Sequence, residues 1–370
     1  MRIAIINCFE TYEIREKMIY DFFINRGDDV ILFKSDFLHI HKDYIKSKKK
    51  EFIYIHTKSY KKNLSFTRLY SHYQFSKKVL EIIMKDNFDL IYALVPPNSL
   101  VKNLYKYKYK YKNSNVKLIF DIIDLWPETM PIGSMKNYFP FILWKEIRNK
   151  YIQYADQIIT ECTLYNDTFG KIVDNEKIRT IYFFRELNDL DKTKVLNKGY
   201  ISLCYLGSIN NIIDIDKIGN IINKISKVKP VVLKIIGDGE KKEQLISTAK
   251  NNGAEIIDYG KIYDPQQKQK IFNECDYGLN IYKDNTMIGV TMKSIDYLDG
   301  GLPLINSIKG DTKEFINKFH CGFNYDDFDN VYLEETNILK FKLNTEKVMK
   351  KYFDVNTANI ILNEILKDIF

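Results

Sequence analysis

Short apolar, β-branched runs separated by longer mixed segments recur along almost the whole chain, and this alternation constrains the fold more than any other feature. The runs lie at residues 3–6, 29–33, 52–56, 90–94, 117–123, 157–159 and 180–184. Runs of this kind suit strands buried on both faces, and the segments between them have the length of covering helices. They predict one doubly wound parallel sheet. Residues 185–194 are polar without sustained periodicity, and the alternation resumes at 200–206, 231–236, 255–259, 277–282 and 303–305. The expected class is therefore α/β, with two doubly wound parallel-sheet (Rossmann-like) domains facing a cleft, as a length of 370 residues allows. The expected division is 1–185, a linker at 186–199, 200–345, and C-terminal helices over 346–370 that can pack back on the first domain. In those helices Val348, Tyr352, Ile360, Ile361, Ile365 and Leu366 fall at helical spacings.

Composition removes several function classes. With 45% hydrophobic residues the chain has the material for packed cores, which excludes a disordered protein. The 56 Lys and Arg against 48 Asp and Glu leave +8, too small an excess to imply nucleic acid without a binding motif. Five scattered cysteines with no CxxC pair point to a reduced, cytoplasmic protein without structural metal. The sequence opens directly into an apolar strand pattern, so no export signal is expected. Charged or amide residues break every apolar run, so membrane contact would be peripheral.

Residues 287–305 carry the clearest chemistry. Gly289 lets a loop approach a ligand, Thr291 is a candidate N-cap, residues 292–298 read as a short helix, and Gly300 or Gly301 can end it. A helix amino terminus presents unpaired N–H groups to an anion, and Lys293 in the first turn adds a full charge. Asp296, three residues on, shares a helix face with Lys293 and has the chemistry to accept ribose hydroxyls.

This stretch resembles the nucleotide-sugar site of glycosyltransferase family 4, whose pattern is matched by Lys293, Tyr297, Gly301, Pro303 and Ile305, with Asp296 in place of the usual Glu. Ile288 stands where the family has its other carboxylate, eight positions earlier. The resemblance continues at Gly207 in the first glycine turn, at Gly237, Asp238 and Gly239, and at Lys261 in the segment flanking the base. Where many members have Arg and Lys after the first glycine, this chain has Ser208, Ile209, Asn210 and Asn211. Taken alone, Gly237 and Gly239 with Asp258 would suit a dinucleotide, but Lys242 replaces the third glycine of that fingerprint.

In the first half, Asp124 follows a predicted strand, and Trp126 before Pro127 offers a platform for a sugar ring. The sequence Asp-Leu-Trp-Pro-Glu at 124–128 is similar to a segment of family-4 enzymes that assemble bacterial surface polysaccharides. The alternative is that Asp124 only ties the turn and Trp126 fills a core gap. Glu10, Glu13 and Arg15 in the first loop, and Asn98 at another strand end, are weaker acceptor-binding candidates. His72 reads as a packing or surface histidine, and the pairs Asp214/Asp216 and Asp327/Asp329 as chance spacing rather than metal sites.

The resemblance implies the two-domain GT-B fold and retaining transfer of a hexosyl or N-acetylhexosaminyl group. Its donor would be a nucleoside-diphosphate sugar, a UDP-sugar foremost, and its acceptor a lipid-linked glycan for capsule, O-antigen or other surface polysaccharide. It implies no cofactor and no metal. Lys293 and Asp124 would be catalytic; Gly207, Gly237, Asp238, Lys261, Gly289, Thr291, Asp296 and Tyr297 would serve the donor; Glu10, Asn98 and Trp126 would serve the acceptor. A non-catalytic GT-B partner subunit and a sugar-nucleotide epimerase are the alternatives. The alternating tyrosines and lysines at 105–112, read as a helix, form either a lipid-facing patch at the inner face of the plasma membrane or a solvated face.

Overall fold

The computed structural model describes residues 1–111, 115–130, 132–185, 192 and 199–370. Contacts divide the chain into two units, Met1–Phe183 with Ala358–Phe370, and Phe184–Thr357. The linker expected at 186–199 lies almost wholly outside the described residues.

The first unit holds a seven-stranded parallel sheet: β1 (Arg2–Asn7), β2 (Asp29–Ser35), β3 (Phe52–Ile55), β4 (Leu90–Val95), β5 (Lys117–Ile122), β6 (Gln157–Thr160) and β7 (Ile178–Thr180). Their order across the sheet is β3-β2-β1-β4-β5-β6-β7. The chain winds outward from β1 in one direction and returns to continue in the other, so a switch point lies between β1 and β4, where such sheets bind ligands. β4 and the Ile3–Ile6 stretch of β1 are apolar and buried, as expected of central parallel strands. The expected strand at 180–184 is a correction: pairing with β6 covers only Ile178–Thr180.

Beneath the strand ends a charged network is fully paired. Arg15, 1% exposed, forks onto Asp121 with Nε and Nη2 at 2.8 and 3.2 Å and donates to the Tyr182 carbonyl. The Tyr92 hydroxyl donates to the same carboxylate at 2.6 Å. Glu13 accepts from Lys34 at 2.9 Å. Arg15 is thus engaged within the fold, whereas Glu13 remains exposed beside Lys34.

The second unit repeats the design with β8 (Ile201–Ser208), β9 (Val231–Asp238), β10 (Ala254–Gly260), β11 (Tyr277–Asn280), β12 (Leu304–Asn306) and β13 (Gly322–Asn324), in the order β10-β9-β8-β11-β12-β13. β13 is absent from the expected strands because three residues carry too little periodicity to announce one. Helix Ile215–Ser226 shows why the segments between strands are helical. Asp214 caps it by accepting from the Lys217 amide, and Ile215, Ile218, Ile221, Ile222 and Ile225 form its buried stripe. That role accounts for Asp214, as a cap on Val331 N accounts for Asp329.

The chain ends in helices Glu335–Val348 and Val355–Ile369. In the last one Leu362, Ile365 and Leu366 face inward, whereas Ile360 is 59% exposed and lies off the expected stripe. Arg26 donates to Asn363, and Arg179 pairs with Asp368, which tie this helix to the first unit.

Candidate functional site

In the second unit, the carboxyl ends of β8 and β9 approach so closely that only glycine fits. Gly207 has φ +104°, and a Cβ on Gly237 would lie 2.0 Å from the Gly207 carbonyl oxygen. One on Gly239 would lie 2.3 Å from the Ile209 oxygen. These glycines keep side chains out of the space above Gly207.

Helix Met292–Asp299 begins beside this turn. Its N-cap Thr291 accepts from the Ser294 amide at 3.0 Å, while the Ser294 hydroxyl accepts from the Thr291 amide at 3.1 Å. Thr291 Oγ1 also donates to Asn280 at 2.9 Å. Behind it, Asn280 donates to Asn306 at 2.9 Å, Asn306 to Asn324 at 3.1 Å, and Asn324 to Asn317 at 2.9 Å. Asn280, Asn306 and Asn324 are paired in register at the ends of β11, β12 and β13. This buried amide ladder fixes the N-cap, and no motif pointed to it; its only trace in the sequence is that each of the three strands ends in Asn.

Tyr297 fastens the same helix to β8. Its hydroxyl accepts from the Leu206 amide at 2.6 Å and donates to the Cys204 carbonyl at 3.0 Å. Its ring fills the space above Gly278, where a Cβ would meet it at 2.6 Å. Tyr297 is fully buried, so it positions the site rather than reaching a ligand as expected. Gly289 likewise has a holding role, its carbonyl accepting from both the amide and the hydroxyl of Thr312 at 3.0 and 2.7 Å.

Lys293 is the centre of this arrangement. Its ammonium lies 4.2 Å from the ring centroid of Tyr205 and 4.8 Å from that of Tyr282. It has no hydrogen-bond partner among the described residues. Burial pushes its pKa down to about 7. The Tyr205 hydroxyl donates to the Ser208 carbonyl at 2.9 Å, which holds the ring in place. Helix geometry leaves the amides of Met292 and Lys293 without intrahelical acceptors. A buried ammonium with no hydrogen-bond partner among the described residues, beside a helix amino terminus and a glycine turn, has the chemistry to hold an anion.

Asp296 is held by two cations. Its Oδ1 accepts from Arg185 at 2.7 Å and its Oδ2 from Lys268 at 3.2 Å. Asp238 lies on the exposed rim, where the Gly239 amide and Lys261 hold its carboxyl below the usual range. Asp258 pairs with Lys242 at 2.7 Å, which occupies the carboxylate a dinucleotide reading would need for ribose.

The first unit carries a second cluster. Asp124 lies two residues beyond β5 and accepts the Tyr12 hydroxyl, and burial raises its carboxyl pKa. Asn98 donates to the carbonyls of Trp126 and Trp144 at 2.9 and 3.1 Å. Arg148 donates to the Trp126 carbonyl at 2.8 Å and forks onto Glu128. The expected acceptor residue Asn98 is therefore a fully buried tie that shapes the loop. Glu10 accepts from the Ile40 amide through one oxygen, and its other oxygen is buried with no hydrogen-bond partner among the described residues.

Arg68 and His72 complete this cluster, and neither was among the sequence candidates for it. The Arg68 guanidinium lies 4.4 Å from the Trp126 ring centroid and donates to the Asn63 carbonyl at 2.7 Å. Among the described residues no carboxylate lies within 4.0 Å of it. His72 stacks on Trp126 at 17° and accepts from Arg68 Nε at 3.3 Å. Burial, with Arg68 and His39 nearby, lowers its pKa well below the usual histidine value, so it is neutral at pH 7. A packing histidine was the sequence reading, and its packing partner is Trp126.

No family model matches the sequence, and no curated protein matches it. Solved structures match over the whole chain. It is similar to the apo form of the lipopolysaccharide outer core galactosyltransferase WaaB, with TM-score 0.72, 15% identity and 100% of each chain covered. It is similar to sucrose-phosphate synthase from Thermosynechococcus elongatus, with TM-score 0.69, 11% identity, and 100% of this chain and 99% of that one covered. HepE from Anabaena, solved in complex with UDP and glucose, gives TM-score 0.63, 15% identity and 99% of each chain. At these identities the likeness establishes the fold, which is that of the GT-B glycosyltransferases.

Proposed function

We propose that this protein is a retaining glycosyltransferase of family-4 type. It transfers a sugar from a nucleoside diphosphate, UDP foremost, to a hydroxyl of a lipid-linked glycan in bacterial surface-polysaccharide synthesis. The observation that carries this reading is the buried Lys293 ammonium, which has no hydrogen-bond partner among the described residues and lies at a capped helix amino terminus beside a glycine turn. UDP in a solved structure of the same fold supports it.

In this reading the second unit binds the donor. The bond from the anomeric carbon to the diphosphate oxygen breaks, and the diphosphate leaves with added negative charge that Lys293 and the helix amides stabilise. The acceptor oxygen bonds to the anomeric carbon, and its proton passes to the departing diphosphate, so neither a metal nor a separate strong base enters. The first unit binds the acceptor, with Asp124 and Tyr12 as its polar pair and the Trp126 ring as its platform. Ile288 in place of the family's first carboxylate favours a second reading, a partner that binds nucleotide without turnover.

A panel of UDP-, GDP- and TDP-sugars, assayed for nucleoside diphosphate release with and without membrane extract as acceptor, separates the two. Acceptor-dependent release from one donor supports the transferase. Nucleotide binding without release supports the partner, and neither binding nor release overturns both.

A further inference from the structure

We infer that Arg68 selects an acceptor that carries an acidic group, a carboxylate or phosphate borne on a sugar. The inference deepens the transferase reading and rests on its assignment of the acceptor to the first unit. It starts from how that unit treats buried cations. Five are buried among its described residues: Arg15, Lys34, Arg68, Lys108 and Arg148. Burying a cation is costly unless a counter-charge and hydrogen bonds replace its water. Four of the five have that counter-charge: Arg15 meets Asp121 at 2.8 Å, Lys34 meets Glu16 at 2.7 Å, and Lys108 meets Asp156 and Arg148 meets Glu128, each at 2.6 Å. Lys108, and Tyr107 with its hydroxyl on the Asp86 carbonyl, are thus held within the fold rather than in a lipid-facing patch at 105–112, and residue 112 lies outside the described residues. Arg68 is the fifth, with no carboxylate within 4.0 Å.

Neutral groups surround it instead. Asn63 and His72 take two of its five N–H groups, at 2.7 and 3.3 Å, with the Tyr60 hydroxyl alongside and the Trp126 ring beneath. Asp124 acts on it only from beyond 4.0 Å and already accepts the Tyr12 hydroxyl. A second cation is brought to the same place. The Lys42 ammonium donates to the Asn63 side-chain oxygen and lies 4.8 Å from the Tyr60 ring centroid. It too has no carboxylate within 4.0 Å among the described residues, Glu10 acting on it from further away. Two like charges gathered at one asparagine and one ring repel each other, and an anion within reach of both offsets that repulsion. His72 adds a donor. Arg68 Nε–H donates to its Nε2, so the neutral ring carries its own proton on Nδ1, which is buried with no hydrogen-bond partner among the described residues.

Shape supplies the rest of the ligand. Arg68 lines a cavity of about 260 Å³ and is the one charged group in its wall among the described residues. Phe66, Phe139, Phe141 and Trp144 line it as well, and aromatic faces suit the apolar face of a pyranose ring. The planar guanidinium pairs with a carboxylate or phosphate through parallel N–H groups, which a neutral glycan cannot match.

Trp126 and Trp144 are the two tryptophans of the chain, so intrinsic fluorescence reports this cluster. The test titrates methyl β-glucuronide, glucose 6-phosphate and the neutral methyl β-glucoside into the full chain at constant ionic strength. Wild type should bind an acidic probe at least about tenfold more tightly than the neutral one, as expected for a charge-assisted pair. Tighter binding of the glucuronide assigns a carboxylate, tighter binding of the phosphate ester a phosphate, and equal binding of both a site that reads charge alone. Arg68→Gln should erase the preference in a variant that melts cooperatively, and Arg68→Lys, which keeps the charge without the fork, should retain part of it. The inference is overturned if wild type binds acidic and neutral probes equally, if it binds none of them, or if the preference survives in Arg68→Gln. A UDP titration of the same preparations keeps the two readings apart. UDP binding without an acidic preference removes this inference alone, whereas an acidic preference without UDP binding keeps the anion site and removes the transferase reading.

Discussion

The Lys293 ammonium lies over the rings of Tyr205 and Tyr282, 4.2 and 4.8 Å from their centroids, and finds no hydrogen-bond acceptor among the described residues. Ring faces attract a cation but do not replace the water removed by burial. Lys293→Met keeps the apolar stem and removes the buried charge. It should stabilise the ligand-free protein by about 1–3 kcal/mol, visible as a rise of several degrees in melting temperature. An unchanged or lower melting temperature would mean that the ammonium is already satisfied.

The same residue sets a pH dependence. Its pKa falls from the usual lysine value of 10.5 to about 7 on folding, so the unfolded chain binds the extra proton between those values. Stability from this group therefore rises as pH climbs from 7 toward 10.5 and is lost as pH falls through 7. A bound diphosphate restores the charge. UDP binding should take up close to one proton at pH 8.5, and affinity should fall about tenfold per pH unit above 7. Calorimetry in buffers of different ionisation enthalpy measures the uptake, and Lys293→Arg should show none.

Alternating runs announced both sheets because central parallel strands are buried on both faces and must be apolar throughout. Lys293 and Thr291 were legible because capping and first-turn charge are local. The surroundings that give Lys293 its chemistry were not: Tyr205 and Tyr282 come from other elements, and a tyrosine in an apolar run has no mark distinguishing a ring that will face a cation. The partners of Asp296 were hidden for a similar reason. Spacing put it on the face of Lys293, but its ion-pair partners Arg185 and Lys268 lie far away in sequence. Arg68 gave no signal, since a buried arginine and a solvated one look alike in a polar stretch.

The asparagine ladder gives a third test. Asn306→Leu removes the middle member and leaves Asn280 and Asn324 with buried amide groups unpaired, which costs about 1–3 kcal/mol per group. Because Asn280 also receives Thr291 Oγ1, nucleotide affinity should fall by more than the loss of stability alone explains. Urea melts and nucleotide titrations of the same preparation separate these effects, and intact affinity would detach the ladder from the site.

Acid should act on the first unit. His39, hydrogen-bonded to Tyr60 at 2.7 Å, has its pKa lowered to about 4 by burial and by Arg68 and Lys42, and that of His72 is lowered as well. Both must charge against burial, so the stability they contribute is full above about 6.5 and is lost as pH falls toward 4. His72→Gln should shallow the decline of melting temperature between those values. A decline identical to wild type would assign the acid sensitivity to other groups.

The central claim is that Lys293 meets a nucleoside diphosphate. Calorimetric titration of UDP into wild type and Lys293→Met, side by side at pH 7, tests it most directly. The account predicts saturable one-to-one binding by wild type and an affinity at least about 100-fold weaker in a variant that melts cooperatively, as expected for a lost charge-assisted contact. Equal affinity in the two proteins would contradict it.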